Sequence, residues 1–216
     1  MGLPPSELVR HIAWDIGAAG VAEALADLFD APAILSPVSR LVVDCNRQLN
    51  APDLIPARSD GTVIPSNRNL TAEDRALRVE RWFEPYHAAV ESIFLERERR
   101  GVPLIALSIH SMTANLAGSL RPWQISFSSR DDRRLVEPMI EILRRSNDIE
   151  VGDNQPYSMD PAVDFSTPFH AVRRNLPYLQ VEFRQDEVAD AAGQLRWAQR
   201  FATALTEAVS LGEAVQ

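Results

Sequence analysis

The residues best placed to do chemistry are a histidine and a glutamate, each closing an apolar segment. His110 follows Leu104–Ile109, a run that reads as a short, buried central strand. A neutral imidazole held rigidly at a strand end is a common metal ligand. It can equally make only ordinary hydrogen bonds. Glu182 lies at the end of a second apolar stretch, Tyr178–Phe183. A carboxylate there is costly unless it is paired or working, and such surroundings suit a general base or acid. The competing reading is a face pair with Arg184, because residues two apart on a strand share a face.

Three further groups carry weaker signals. Ser39 to Arg47 runs from an apolar stretch into a turn holding Arg40, Asp44, Asn46 and Arg47. Asn46 and Arg47 could form a fork for a carboxylate, or the turn could be solvated surface. His11 and Asp15 are four residues apart and would share a helical face. That spacing allows a shared metal, an orienting pair or a plain ion pair. Arg121-Pro122-Trp123 sets an arginine beside an aromatic ring, which suits an anionic ligand or a packed loop. His87 reads as a helix-face residue and His170 as a loop residue.

The chain that must position these groups has 216 residues, enough for one domain with a full core. Apolar residues make up 45% and charged residues 24% of it, the profile of an ordinary globular protein. A formal net charge of −8 leaves no basic surplus for nucleic acid. No apolar run is long enough to cross a bilayer, and Met1–Arg10 has no signal-peptide pattern. With Cys45 as the single cysteine, a reducing, cytoplasmic location is expected and an internal disulfide is excluded. Every basic residue is arginine, so Schiff-base catalysis by lysine is excluded.

Periodicity predicts a helix from about Ser6 to Phe29, with Ser6 as cap and a possible break at Gly17 or Gly20. Ala33–Leu35 and Leu41–Val43 read as short strands, and Asn50–Asn69 as loop. A long helix is expected over Thr71–Arg100. Thr71 and Asp74 resemble a capping box for it, Pro85 should kink it or split it in two, and Gly101 stops it. Gln124–Ser128 and Tyr178–Phe183 read as strands, and Asp131–Arg145 and Gly193–Val209 as helices. This alternation predicts an α/β fold: a mixed, largely parallel central sheet flanked by helices, in a single domain over 1–216.

The order of the motifs is more specific than any one of them. Arg40 through Arg47, then Pro85-Tyr86-His87, His110-Ser111, Asn154-Gln155-Pro156-Tyr157, and Glu182 with Arg184, resembles the N-formylglutamate amidohydrolase family. His11 to Ala18, Ser59 to Thr62 and Ile64 to Asn67 match one branch of it. The resemblance implies a fold like that of the zinc carboxypeptidases. It implies His110 as a zinc ligand, with His11 and Asp15 as possible additional ones, and Glu182 as the catalytic group. Asn46 and Arg47 would grip a substrate carboxylate, with Arg40 and Arg121 as further substrate-binding candidates. Zinc would polarise a formyl carbonyl, and Glu182 would move a proton from water to the leaving nitrogen. The substrate would be a small anionic N-acyl amino acid such as N-formylglutamate, cleaved to the amino acid and formate. Family members carry an early His-Ala-Gly or His-Ser-Gly motif, which this sequence lacks. Met1–Pro5 resembles a point inside a longer relative, so an N-terminal metal-ligand segment is expected to be missing. The alternative is therefore a degenerate member that binds an anionic amino acid without turnover. Another N-acyl amidase or a small-peptide carboxypeptidase is also compatible with the motifs.

Overall fold

A computed structural model describes residues 1–116 and 118–211. In chain order the elements are helices α1 (Pro5–Leu8) and α2 (Ala18–Phe29), strands β1 (Arg58–Ser59) and β2 (Thr62–Val63), and helices α3 (Ala72–Arg78) and α4 (Glu84–Arg100). Then come β3 (Ala106–Met112), β4 (Asn115–Leu116), β5 (Ser119–Leu120), β6 (Ile125–Ser128), α5 (Val136–Arg144), β7 (Val151–Asp153), α6 (Ser166–His170), β8 (Tyr178–Arg184) and α7 (Ala191–Leu211). They belong to two compact units.

The sheet unit comprises Asp15–Ala33, Leu104–Asp160 and the chain from Ala171 onward. Its four strands lie in the order β3-β8-β6-β7. β3 is parallel to β8, β6 is antiparallel to β8, and β7 is parallel to β6. The expected mixed, largely parallel sheet is present. Each strand alternates, so the two faces differ in kind. Leu107, Ile109, Leu179, Val181, Phe183, Ile125, Phe127 and Val151 point to one face. Against them pack Val21 and Leu25 of α2, Met139 and Leu143 of α5, and Trp197, Phe201 and Leu205 of α7. Fully burying a side chain of this size stabilises by about 1.5–3 kcal/mol, so this layer is the main source of stability. The opposite face carries Ser108, His110, Gln180, Glu182, Ser126 and Ser128.

Several expectations are corrected in this unit. β3 is not a central strand: within the described sheet it lies at the edge, and most of it is half-buried. Its run looked continuous because Ala106 and Ser108 are small, which hid the period of two. The first helix does not run unbroken from Ser6. The chain turns at Gly17, whose φ is +80°, and α2 begins only after it. A Cβ on Gly17 would lie 2.0 Å from the Val188 carbonyl oxygen, so glycine is needed for the close approach as well as for the turn. Helix α5 starts at Val136 rather than Asp131, and β7, with Gly152 at its middle, had no strand signal.

The second unit comprises Met1–Trp14, Ile34–Pro103 and Pro161–His170. Its apolar residues form two small clusters, one around Val43, Cys45, Leu54, Ile55 and Phe83, the other around Ile12, Ala13, Leu41 and Ile64. Leu41 and Val43 are fully buried but lie in a turn and the irregular chain after it, and Ala33–Leu35 is exposed irregular chain, so neither segment is a strand. Burial alone explains the apolar pattern at Leu41 and Val43. Between Asn50 and Asn69, β1 and β2 form a small hairpin whose turn, Asp60-Gly61, has positive φ at both residues. Thr71 and Asp74 make the expected capping box. The helical run is divided in two, as one of the expectations had it: a π segment at Val79–Phe83 separates α3 from α4 just before Pro85. Pro85 falls in the first turn of α4, where its missing N–H costs nothing. Gly101 ends α4 with a φ of +62°.

Candidate active site

His110 and Glu182 are register partners on the adjacent strands β3 and β8. Paired residues of a ladder project to the same face, about 4.8 Å apart along the hydrogen-bonding direction. Ser126 of β6 is Glu182's partner on the other side, and Gly152 of β7 extends the row. One polar row therefore crosses the whole sheet. Ser126 Oγ donates to the carbonyl of Gln155, and Ser128 Oγ donates to that of Tyr157 at 2.9 Å. These two bonds hold the Asn154–Tyr157 segment, with its cis Gln155–Pro156 peptide, against the polar face.

His110 is held from both ends. Its Nδ1 lies 2.8 Å from Oδ2 of Asp15, and its Nε2 lies 3.1 Å from Oγ of Ser108. Asp15 sits in the turn that leads into α2, and its carbonyl accepts from the N–H of Ala18 at 3.2 Å. Asp15 and His11 therefore do not share a helical face, as their spacing had implied. His11 lies in the other unit, 3.4 Å from Asp60. Ser108 was missed, although period two on a strand puts residue 108 on the face of residue 110. Asp15, set beside His11 by its spacing, stands against His110.

Arg121 is buried, with its guanidinium 4.9 Å from the centroid of the Tyr157 ring and 2.7 Å from the Tyr157 hydroxyl. Arg184 turns its fork to Asp186 and Glu187, and Nη1 donates to the carbonyl of Pro122 at 2.9 Å. Glu182 and Arg184 share a face, but no charge pair between them is needed to explain where Arg184 goes.

In the second unit the Asn46–Arg47 turn is strongly engaged. Asn46 Nδ2 donates to Asp164 at 3.2 Å, and its Oδ1 accepts from the backbone N–H groups of Phe165 and Ser166 at 3.2 and 2.9 Å. Arg47 pairs with Asp53 at 2.8 Å, and Arg40 pairs with Asp44 at 2.8 Å. An incoming carboxylate would have to replace these internal ones. Asn46→Ala should lower stability by about 2 kcal/mol, because two backbone donors and one carboxylate lose their partner. The check is the urea midpoint without ligand; an unchanged midpoint would show that the amide is not structural.

His87 and His170, read as a helix-face residue and a loop residue, are both buried and stacked. His87 Nε2 lies 2.9 Å from the Cys45 carbonyl oxygen, and Nδ1 lies 2.9 Å from Nε2 of His170, whose Nδ1 is 3.1 Å from Glu91. A carbonyl can only accept, so His87 carries its proton on Nε2 and accepts from His170 through Nδ1. Burial, with the neighbouring His170, pushes the pKa of His87 down from 6.5 to about 4, although the bond to Cys45 opposes the shift. The unfolded chain then binds a proton near pH 6.5 that the folded chain refuses until about pH 4. Stability from this group is complete above pH 6.5 and falls as pH drops through that window, by at most about 3 kcal/mol. Unfolding free energies measured from pH 7 to 4 should show this acid limb, and His87→Gln should flatten it. Burial also pushes the Cys45 thiol up to about 11, so it is no nucleophile at neutral pH.

The family model of the N-formylglutamate amidohydrolases matches residues 1–189. The chain belongs to the N-formylglutamate amidohydrolase family. The gene product Atu2144 from Agrobacterium tumefaciens is similar at 30% identity over 97% of this chain and 82% of that one, with a TM-score of 0.90. The N-formylglutamate amidohydrolase from Ralstonia eutropha JMP134 shares the fold at 22% identity, over 86% of this chain and 82% of that one, with a TM-score of 0.56. No curated protein matches. The family relationship raises the question of zinc. Among the described residues, no three His, Cys, Asp or Glu side chains gather to hold a metal ion, whereas a catalytic zinc takes three protein ligands. His110 and Asp15 alone do not make up that set. No helix among the described residues is long and apolar enough to cross a membrane.

Proposed function

We propose that this member of the N-formylglutamate amidohydrolase family hydrolyses the amide of an N-formyl, or closely related N-acyl, acidic amino acid, releasing formate and the amino acid. The observation that carries this reading is the in-register pairing of His110 with Glu182 on one polar face, with Asp15 fixing the imidazole. Glu182 takes the proton of the attacking water and passes it to the departing nitrogen. On the substrate side, Arg121 is the cation available beside the polar face. Arg40, Asn46 and Arg47 belong to the other unit, where each already has a partner. A location in the cytoplasm suits a substrate drawn from amino-acid metabolism.

The test is release of free glutamate from N-formylglutamate, N-acetylglutamate and a glutamyl dipeptide, with formate measured as well for the first. Release from the formyl compound alone is the expected result. No release from any of the three, with the fold intact, overturns the reading. The incomplete donor set for a metal favours a second reading, capture of an anionic amino acid without turnover. It would show itself as thermal stabilisation by glutamate or N-formylglutamate without product.

A further inference from the structure

Pro161–His170 packs with Ile34–Pro103, while the chain on either side of it belongs to the sheet unit. Two sets of bonds tie it down. Gln48 and Asn46 hold its first half: Gln48 Nε2 donates to the carbonyls of Pro161 and Asp164, both at 2.9 Å, and Asn46 bonds to Asp164, Phe165 and Ser166. The second half, which includes α6, lies against His87 of α4. The Phe165 ring centroid stands 4.6 Å from that of His87, and the His170 ring stacks on His87 at 5.2 Å.

The contact through the two histidines has room for a fixed number of protons. Three polar contacts run in a line: Cys45 carbonyl to His87 Nε2, His87 Nδ1 to His170 Nε2, and His170 Nδ1 to Glu91. Each needs one hydrogen between its two atoms. Three hydrogens therefore fill the line, wherever along it the charge lies. A fourth puts two hydrogens into one contact and breaks it. The contacts at risk are those that join α6 to α4.

A second observation concerns α6 itself. Thr167 is buried, and its Oγ1 has no hydrogen-bond partner among the described residues. A buried hydroxyl left unpaired is costly, and water supplies the partner once α6 lifts.

We propose that residues 161–170 form an acid-released strap: a fourth proton on the line from His87 through His170 to Glu91 lifts α6 from α4 while the sheet unit stays folded. The other ionisable groups against His87 keep their protons throughout. Burial pushes the Tyr86 hydroxyl up to about 12 and the Cys45 thiol up to about 11. Asp44, beside Cys45, is paired with Arg40, and Asp164, on the strap, with Asn46. While buried, His87 resists the added proton, its pKa held down at about 4; in water it returns to 6.5. The open form then binds a proton at a pH where the closed form does not. Opening is therefore favoured as pH falls from 6.5 toward 4.

Hydrogen exchange of the full chain, read by mass spectrometry and corrected for the intrinsic effect of pH, tests this. From about pH 7 to about pH 4.5, protection of peptides covering 161–170 should fall at least about tenfold, while that of β8 holds. His87→Gln should remove the pH dependence, because the amide donates to the Cys45 carbonyl and accepts from His170 but takes up no proton. Strap protection that stays level in the wild type, or that falls only in step with β8, overturns the proposal. So does a folded His87→Gln protein whose strap still opens with acid. If that variant does not fold, the wild-type profile alone decides.

Discussion

Glu182→Gln is expected to lower kcat/KM for N-formylglutamate by about 100-fold or more. Glutamine keeps the size and one acceptor oxygen of glutamate but cannot take up a proton at neutral pH. The loss should fall mainly on kcat, because the group acts on water and the substrate's binding contacts remain. The substitution should leave folding unchanged: position 182 is only half-buried, and its strand is fixed by the apolar residues Val181 and Phe183 beside it. Formate release measured beside urea unfolding checks both halves. Activity within about threefold of wild type would remove Glu182 from the proposed chemistry.

The largest stability effect is expected from Phe127→Ala, at about 3–5 kcal/mol. Phe127 is fully buried on the apolar face, paired in register with Val181 and stacked on Phe201 of α7 with centroids 6.4 Å apart. Truncation leaves a cavity between sheet and helix, in a layer whose neighbours are themselves held by close packing. Total stabilities of 5–15 kcal/mol are usual, so the variant should unfold at a much lower urea concentration, with an unchanged m-value if it stays two-state. A midpoint shift worth less than 1 kcal/mol would mean that α7 closes the gap.

Much of the sheet unit can be read from the chain alone, because its residues obey local rules. Ile125–Ser128 and Tyr178–Arg184 alternate as half-polar strands do, and α7 carries a clear apolar stripe. Thr71, Asp74 and Gly101 mark helix ends by their own chemistry. The other unit resists such reading. Its apolar residues, Leu41 and Val43 among them, are buried in turns and irregular chain, where no period applies. The site was legible in part. His110 and Glu182 stand out as polar residues ending apolar strands. That they are register partners depends on which strands pair, which is a property of the fold. Asp15 lies 95 residues from His110, so helical spacing offered it the wrong neighbour. The Asn46–Arg47 turn showed the right chemistry for gripping a carboxylate, but not that Asp53 and Asp164 of the same chain already stand against it.

The division of the sheet into an apolar side and a polar side has a consequence for how this protein can change over time. Sliding any one strand by a single residue would turn Ile109, Val181 or Phe127 outward and bury an imidazole, a carboxylate or a hydroxyl in their place. The misaligned chain would lose its packing and its reactive groups together. Insertions and deletions inside these strands should therefore be purged even in a lineage that had abandoned catalysis, and the polar row could outlast the reaction it serves.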